Sequence, residues 1–528
     1  MKSTRRIFIL LLVLALLLTA CNNTLPSSTN MVASTDTEDS GSDETVSREL
    51  TEEEKLLISL KGDIKSAMTE NTKEYKVLFC DVSDNPTLAA DEKAIWVVEL
   101  FKAYPDSTDE AEAAITAVHI YYPMHDDPSD YTDSELNTMG VIRVFAYMGI
   151  PDNATSQNKV QGIVCTHGGE GHAYAKYCLE AVRHGYAAIA FDTEGYHALN
   201  GIEANERDLL GHKEKDNFST AKNSIKEQWM YYVISDCAFA NTVLRSLDAV
   251  DKDKVGITGI SWGGLAVTVA SCYDSRFAFC VPVYLSYFVS SQTNDAFFGS
   301  TEYNPDFDKF AADLWQDAET LEGNTVPTLL INSQKDRFAD ISSTVMTYKT
   351  LKKNNSKAYV LIKPDLPHSQ EAGASQPEIY RFGDWVCSNY GNEKSFFTIN
   401  KQITSELGRS YQISITVPEN ITNVSAILYY TTEPLSYSSS YTLEQSFKSV
   451  FISADGVQSR GDGSSVYIYT VTAPDNAYLY YVSFYGESAY DKNIPITYTY
   501  SGSFVFNGMI FGSSAVVVVN NGAINKSP

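Results

Sequence analysis

The 528-residue sequence predicts a doubly wound, mostly parallel α/β domain followed by an all-β, sandwich-like domain. Between about residues 136 and 394, continuous apolar runs alternate with helical segments, which is typical of a parallel sheet covered on both faces. One of these runs leads into a serine flanked by glycines, followed by a helix-compatible segment. After about residue 395, helical periodicity becomes scarce and short strand-like runs are separated by turn residues.

The predicted strands of the α/β domain are short and rich in apolar residues. They cover residues 141–147, 161–166, 187–191, 255–258, 279–283, 328–332 and 358–363. A helix is expected over 173–184. A longer one is indicated by Val233, Cys237, Ala240, Leu244 and Leu247, which recur at steps of four and three. Short right-handed crossovers between such strands then give the doubly wound arrangement.

The N-terminal segment predicts export. A basic start precedes an apolar run over 7–18 that is short for a membrane span. The run ends in small residues followed by Cys21, so residues 1–20 resemble a bacterial lipoprotein signal, and lipidation of Cys21 would anchor the chain at the cell surface. An ordinary secretory signal is the alternative. Residues 21–50 are polar and predict a flexible linker.

Residues 51–135 predict an N-terminal elaboration of the main domain, with helices over 52–68 and 93–104 and a strand over 117–122. Their function is not legible from the sequence. The C-terminal region 395–528 is rich in tyrosine, which either forms a sugar-stacking surface or, as the more ordinary interpretation, favours half-buried strands.

Composition excludes some partners. The formal net charge of −26 argues against a nucleic-acid partner, which needs a basic surface, and suits a neutral or cationic substrate. No CxxC or HExxH pattern occurs among the eight cysteines and eight histidines, so no metal site is predicted. A lipidated Cys21 would leave seven cysteines, at least one of them unpaired. The apolar surroundings of Cys165, Cys237, Cys272 and Cys280 indicate small buried thiols.

The segment from Gly259 to Gly263 reads Gly-Ile-Ser-Trp-Gly and joins a strand to a helix. Glycines two residues before and after Ser261 permit a sharp, strained turn against the neighbouring strand and helix. Such a turn lifts the Ser261 hydroxyl clear of the sheet, beside the N-terminus of the helix. The pattern predicts that Ser261 is a nucleophile.

A serine on this kind of turn takes its partners in the chain order serine, acid, histidine. Seven of the eight histidines precede Ser261, and His368 alone follows it, in a loop after the predicted strand 358–363. His368 is therefore the predicted base, with an incidental surface histidine as the alternative.

The acid is expected in the loop after strand 328–332, at the carboxyl edge of the sheet. Asp336 is the favoured candidate, and a turn-stabilising aspartate is the alternative. Asp340 is a nearby second choice. Asp365 is disfavoured because an aspartate three residues before His368 would not approach its Nδ1 from the correct side.

An oxyanion hole needs two converging backbone N–H groups. Trp262, directly after the predicted nucleophile, is expected to supply one. The glycine-rich turn after strand 161–166 is expected to supply the other, from Gly169 first and Gly168 next. His167 is expected to be a structural hydrogen-bonder and Asp192 to shape the neighbouring loop. A phosphate-binding loop is not indicated, since no Lys-Ser/Thr follows the glycines.

These segments resemble the branch of α/β hydrolases that includes acetylxylan esterases, dienelactone hydrolases and prolyl-oligopeptidase-type enzymes. The resemblance covers about residues 140–392 and is carried by residues 162–169, 185–192, 255–264 and the pair Pro367-His368. It implies a Ser261–His368–Asp336 catalytic triad. Glu170 stands where small residues are commoner in that family.

The resemblance implies acyl transfer to Ser261 without a cofactor. The first hypothesis is a surface-anchored serine carboxylester hydrolase whose substrate is a small-molecule or carbohydrate ester, with acetylated carbohydrate foremost. The second is a peptidase of the prolyl-oligopeptidase type, although the seven-bladed propeller usual in such enzymes does not fit before residue 141. The third is a non-catalytic surface-binding protein.

Overall fold

The computed structural model describes residues 48–80, 88–199, 202–215, 218–288, 309–334, 336, 338–339, 341–364, 366–389, 398–404, 410–433, 447–488, 509–511 and 515–517. The predicted signal 1–20 and nearly all of the linker 21–50 lie outside these residues, as does the predicted domain boundary at 394. No helix in the described ranges is long and apolar enough to cross a membrane.

The centre of the fold is a ten-stranded mixed sheet. In chain order the strands are β1 (Lys76–Phe79), β2 (Ala94–Lys102), β3 (Ile115–Met124), β4 (Arg143–Gly149), β5 (Val160–Thr166), β6 (Tyr186–Phe191), β7 (Tyr196–Leu199), β8 (Ile202–Arg207), β9 (Val250–Ile260), β10 (Cys280–Val283), β11 (Thr328–Ser333) and β12 (Ala358–Lys363). All but β7 and β8, which form a separate hairpin, join in the order β1-β2-β3-β4-β6-β5-β9-β10-β11-β12. The last six strands of this order run parallel, as predicted.

Helices pack around this sheet. They are α1 (Glu52–Asn71), α2 (Glu110–Ala113), α3 (Asp133–Thr138), α4 (Ala175–Arg183), α5 (Trp229–Ser246), α6 (Trp262–Tyr273), α7 (Lys309–Trp315), α8 (Ala318–Glu322), α9 (Ile341–Lys352), α10 (Gln370–Ala374) and α11 (Pro377–Cys387). Helix α1 begins with a capping box between Thr51 and Glu54, which satisfies two of its first backbone donors. Helix α5 is apolar on nearly all sides and is buried along most of its length.

The helix predicted over 93–104 is wrong, because these residues form strand β2. The first four residues of β2 are buried. Two of them, Ile95 and Val97, are β-branched and favour a strand. A short apolar run has no periodicity that separates a buried helix from a buried strand. Strand β2 pairs parallel with β1 and antiparallel with β3, so these three strands extend the main sheet.

Two antiparallel sheets follow at the C-terminus. Their strands are β13 (Thr398–Thr404), β14 (Ser410–Val417), β15 (Ile421–Thr431), β16 (Lys448–Ile452), β17 (Gly456–Ser459), β18 (Ser465–Thr472), β19 (Leu479–Ser488), β20 (Met509–Phe511) and β21 (Ala515–Val517). One sheet has the order β13-β14-β18-β17, and the other has β16-β15-β19-β20 with β21 also on β19. A shared core includes Ile413, Tyr469, Leu428 and Phe484, so the two sheets pack face to face.

All seven described cysteines are free thiols. Cys165, Cys237 and Cys280 are buried and Cys272 is half-buried, in agreement with the apolar runs around them. Burial raises the pKa of the Cys165 thiol to about 12, so this thiol stays protonated and is a poor nucleophile at neutral pH.

Candidate active site

Ser261 occupies a strained turn between β9 and α6. Its φ of 55° and ψ of −121° lie in a region that residues other than glycine rarely adopt. A Cβ at Gly259 would lie 2.2 Å from Thr166 Oγ1, and one at Gly263 would lie 2.4 Å from the His167 carbonyl oxygen. The turn therefore requires glycine at both positions, because neither has space for a Cβ atom.

Ser261, His368 and Asp336 form one hydrogen-bonded chain. His368 Nε2 lies 3.0 Å from Ser261 Oγ, and His368 Nδ1 lies 2.6 Å from Asp336 Oδ2. The three side chains come from the loops after β9, β12 and β11. Only β10 separates β9 from the adjacent pair β11 and β12, so the three loops meet at the carboxyl edge of the sheet. In this arrangement the imidazole can accept the serine proton while the carboxylate fixes its tautomer.

The Asp336 carboxylate is buried and accepts hydrogen bonds through both of its oxygens. Its Oδ1 accepts from the backbone N–H of Phe338 at 2.7 Å and of Ala339 at 2.9 Å, and its side chain is 0% exposed. These amides and His368 hold the carboxylate in one orientation. The two alternative acids, Asp340 and Asp365, lie outside the described residues.

Two aromatic rings that the sequence analysis missed hold the His368 imidazole. Tyr284 stacks on it with ring centroids 4.3 Å apart, and Phe338 lies tilted against it at 4.7 Å. The Tyr284 hydroxyl also donates to the carbonyl of Pro367, just before the histidine. Tyr284 directly follows β10, which lies between β9 and β11. This position identifies Tyr284 as a neighbour of the site only when the strand order is known.

The glycine-rich turn after β5 lies against Ser261 and Trp262. A Cβ on Gly168 would lie 2.9 Å from Ser261 Cβ, and one on Gly169 would lie 2.7 Å from Trp262 Cδ1. Both predicted donors of this turn are thus next to the nucleophile. The Gly168 amide already donates to Gln370 Oε1 at 2.9 Å, whereas the Gly169 amide has no hydrogen-bond partner in the described part of the chain.

Two family models match the part of the chain that contains this site. The model of the prolyl oligopeptidase family matches residues 219–392, and that of acetyl xylan esterase matches residues 125–293. Their overlap contains Ser261, and together they span the loops that carry His368 and Asp336. The chain is an α/β serine hydrolase. No curated protein matches it.

Solved structures similar to the hydrolase include two acetyl xylan esterases and the protein Est1E. The enzyme from Paenibacillus sp. R4 has 17% identity and a TM-score of 0.43, covering 64% of this chain and 96% of its own. The enzyme from Thermoanaerobacterium sp. JW/SL YS485 has 14% identity and a TM-score of 0.38, and the match covers 63% of this chain and 96% of that enzyme. Est1E from Butyrivibrio proteoclasticus has 15% identity and a TM-score of 0.34, and the match covers 47% of this chain and 95% of Est1E.

His167 has the structural position expected for it in the hydrolase. Its Nδ1–H donates to the Gly168 carbonyl at 2.7 Å, and its Nε2 accepts from the Thr193 backbone N–H at 2.9 Å. Asp192 accepts from the backbone N–H of Glu194 and of Tyr196 through one carboxylate oxygen. The imidazole and this aspartate therefore connect the glycine-rich turn to the loop after β6.

A lysine and a carboxyl group that the sequence analysis did not single out lie beside the predicted oxyanion donors. Lys215 Nζ is 5.1 Å from the centre of a Trp262 ring, within cation–π range. Glu194 Oε1 accepts from the Glu170 N–H at 3.2 Å, and burial raises the pKa of Glu194 above its ordinary value. Glu170, the residue that departs from the family pattern, is exposed and has a φ of 57°.

Proposed function

We propose that the hydrolase is a carboxylic ester hydrolase that removes acetyl groups from carbohydrate through Ser261, His368 and Asp336. The observation that carries the proposal is the unbroken hydrogen-bonded chain of 3.0 and 2.6 Å from hydroxyl to carboxylate. The acetyl xylan esterase family match over residues 125–293 supports the ester as substrate.

Acylation begins when Ser261 Oγ attacks the ester carbonyl carbon and His368 Nε2 takes the hydroxyl proton. Asp336 stabilises the imidazolium that results. The carbonyl oxygen becomes an oxyanion. The backbone N–H groups of Trp262 and Gly169 donate hydrogen bonds to it, and each lowers the energy of the transition state by about 3 kcal/mol. Trp262 is the first residue of α6, at the helix end that favours negative charge.

Collapse of this intermediate breaks the bond to the alcohol, which leaves with the proton from His368 Nε2. The acetyl group stays on Ser261 Oγ. A water molecule then attacks the acyl carbon while His368 again accepts a proton, and a second tetrahedral intermediate releases acetate and restores the serine. Every proton moves through His368, so the cycle requires no cofactor.

A serine peptidase is the second candidate, favoured by the prolyl oligopeptidase family match over residues 219–392. Peptidases of that type usually carry a propeller upstream. Here the described residues before β4 build α1, two shorter helices and three strands of the main sheet. That arrangement supports the esterase proposal over the peptidase.

The first test is release of p-nitrophenol from p-nitrophenyl acetate by the wild-type protein and by Ser261→Ala. We expect activity in the wild type and its loss in the variant. Equal rates would contradict the assignment of the nucleophile. Acetylated xylo-oligosaccharides and proline-containing peptide amides, compared by kcat/KM, then separate the deacetylase from the peptidase. Inactivity on every ester and amide would favour the non-catalytic alternative.

We further propose that lipid on Cys21 anchors the hydrolase at the surface of a bacterium. The proposal is supported by the basic start, the apolar run and the small residues before Cys21. Expression of the wild type and of Cys21→Ser in a bacterial host tests it. The wild type should fractionate with membranes and the variant should not; equal distribution of the two would contradict the anchor.

A further inference from the structure

Three potential metal ligands meet on the face of the main sheet, outside the Ser261 site. His119 lies on β3, His197 lies on β7, and Asp208 directly follows β8. One ligand atom from each residue lies within 4.8 Å of the other two. We call these residues the His119–His197–Asp208 cluster.

Two imidazole nitrogens of the cluster are buried and have no hydrogen-bond partner among the residues that the structure describes. They are His119 Nε2, on a residue only 8% exposed, and His197 Nδ1, which lies 3.9 Å from Asp208 Oδ2. The two rings stack with centroids 6.3 Å apart. Buried polar atoms are nearly always hydrogen-bonded, so two unpaired nitrogens beside one carboxylate point to a ligand-binding site.

The charged groups around the cluster carry more negative than positive charge, which favours a cation. Arg143 donates to both oxygens of Asp208, at 2.8 and 2.7 Å, and to both oxygens of Asp133, at 2.8 Å. One guanidinium therefore faces two carboxylates, which gives the surroundings a net charge of about −1.

We propose that the His119–His197–Asp208 cluster binds one divalent transition-metal ion, with Zn²⁺ as the ion that its donors fit best. Two imidazoles and one carboxylate are a frequent ligand set for zinc and leave a fourth position open. The three ligand atoms must draw closer, since ligands in a tetrahedral zinc site lie about 3.3 Å apart. Arg143 donates to both oxygens of Asp208 and so orients this carboxylate, as hydrogen-bond partners of metal ligands commonly do.

Such an ion would join three separate parts of the chain. Strand β3 belongs to the main sheet, while β7 and β8 form the hairpin that follows the loop of Asp192 and Thr193. Because that loop contacts His167 and the glycine-rich turn, the ion would fix the hairpin beside the elements that support the Ser261 site. Binding to the folded state alone would raise the stability of the protein.

The test uses the full-length protein after removal of metal with a chelator. Calorimetric titration with ZnCl₂ should give about one tight site per chain in the wild type, with a rise in Tm of several degrees. His197→Gln should weaken binding at least about a hundredfold and abolish the rise in Tm. His125→Gln is the matched control, since His125 is 43% exposed and outside the cluster.

Replacement of His197 by cysteine adds a readout that is independent of folding losses. With Co²⁺ as the probe, His197→Cys should retain binding and gain a thiolate-to-cobalt absorption band relative to the wild type, because the new ligand is a sulfur. The proposal is overturned if the wild type binds Zn²⁺ no more tightly than His197→Gln, or if the cobalt spectrum of His197→Cys equals that of the wild type. Both results are independent of ester hydrolysis.

Discussion

The hydroxyl group of Tyr481 donates to Gln334 Oε1 at 2.6 Å and so connects the C-terminal sheets to the loop of Asp336. Gln334 lies two residues before Asp336, and Tyr481 lies on β19, held by stacking on Tyr429 at 5.0 Å. The tyrosine is buried. We therefore expect the orientation of the predicted catalytic acid to depend on a residue outside the α/β domain.

Replacing Tyr481 by phenylalanine tests this dependence. Loss of the hydrogen bond should destabilise the protein by about 1 kcal/mol and lower kcat several-fold, because the Asp336 loop gains freedom. Denaturant unfolding and ester kinetics are the measurements. Tyr467→Phe is the control, since the Tyr467 hydroxyl has no hydrogen-bond partner among the described residues. An unchanged kcat in Tyr481→Phe would show that the loop is positioned without the tyrosine.

Asp336→Asn should lower kcat of ester hydrolysis by about 10³–10⁴-fold with little change in the free energy of unfolding. The amide keeps the shape of the carboxylate but neither fixes the tautomer of His368 nor stabilises its charged form. Stopped-flow release of p-nitrophenol measures the acylation step directly. A loss smaller than tenfold would mean that another carboxylate orients His368.

Two glycine-to-alanine changes should act in opposite directions on stability. Gly259→Ala places a Cβ 2.2 Å from Thr166 Oγ1 and 2.3 Å from a backbone oxygen, so we expect a loss of about 3 kcal/mol and of activity. Gly62→Ala, in the exposed middle of α1 with nothing within 4 Å, should stabilise by about 0.5–1 kcal/mol. Thermal unfolding of both variants decides this. Equal effects would contradict the crowding at Gly259.

A buried ion pair predicts how stability depends on pH. His212 Nε2 lies 3.0 Å from Asp236 Oδ2, and Tyr122 donates to the other oxygen at 2.7 Å. Burial alone would lower the pKa of His212, but the charge of Asp236 outweighs it and raises this pKa. The stabilisation is therefore complete below the unfolded pKa of about 6.5 and is lost as the pH rises through the higher folded value.

We accordingly expect a smaller free energy of unfolding at pH 9 than at pH 6. Asp236→Asn should be less stable at pH 6 by about 3 kcal/mol and should lose most of the pH dependence. Urea unfolding at both pH values is the measurement, and His125→Gln should behave as the wild type. A wild-type protein that is equally stable at both values would argue against a charged His212.

The sequence was informative where the signal is local. The glycines around Ser261 and the strand before them predict the turn from a dozen residues, and chain order then selects His368. The catalytic roles of these residues remain predictions. Tyr284 contacts His368 from 84 residues away, Gln370 binds Gly168 across 202 residues, and Tyr481 binds Gln334 across 147, so only the folded chain reveals these contacts. The His119–His197–Asp208 cluster spans some ninety residues without motif spacing, which is why a search for metal motifs passes over it.

The docking of β19 also bears on how the chain avoids aggregation. Ser483 Oγ donates to the carbonyl of Ile362 on β12, the last strand of the main sheet. An uncovered strand at that end would present a row of unpaired backbone groups to other molecules. The opposite end is β1, only four residues long and begun by Lys76. A chain cut after residue 389 would therefore be expected to fail first by intermolecular strand pairing at β12, before any loss in the turn at Ser261.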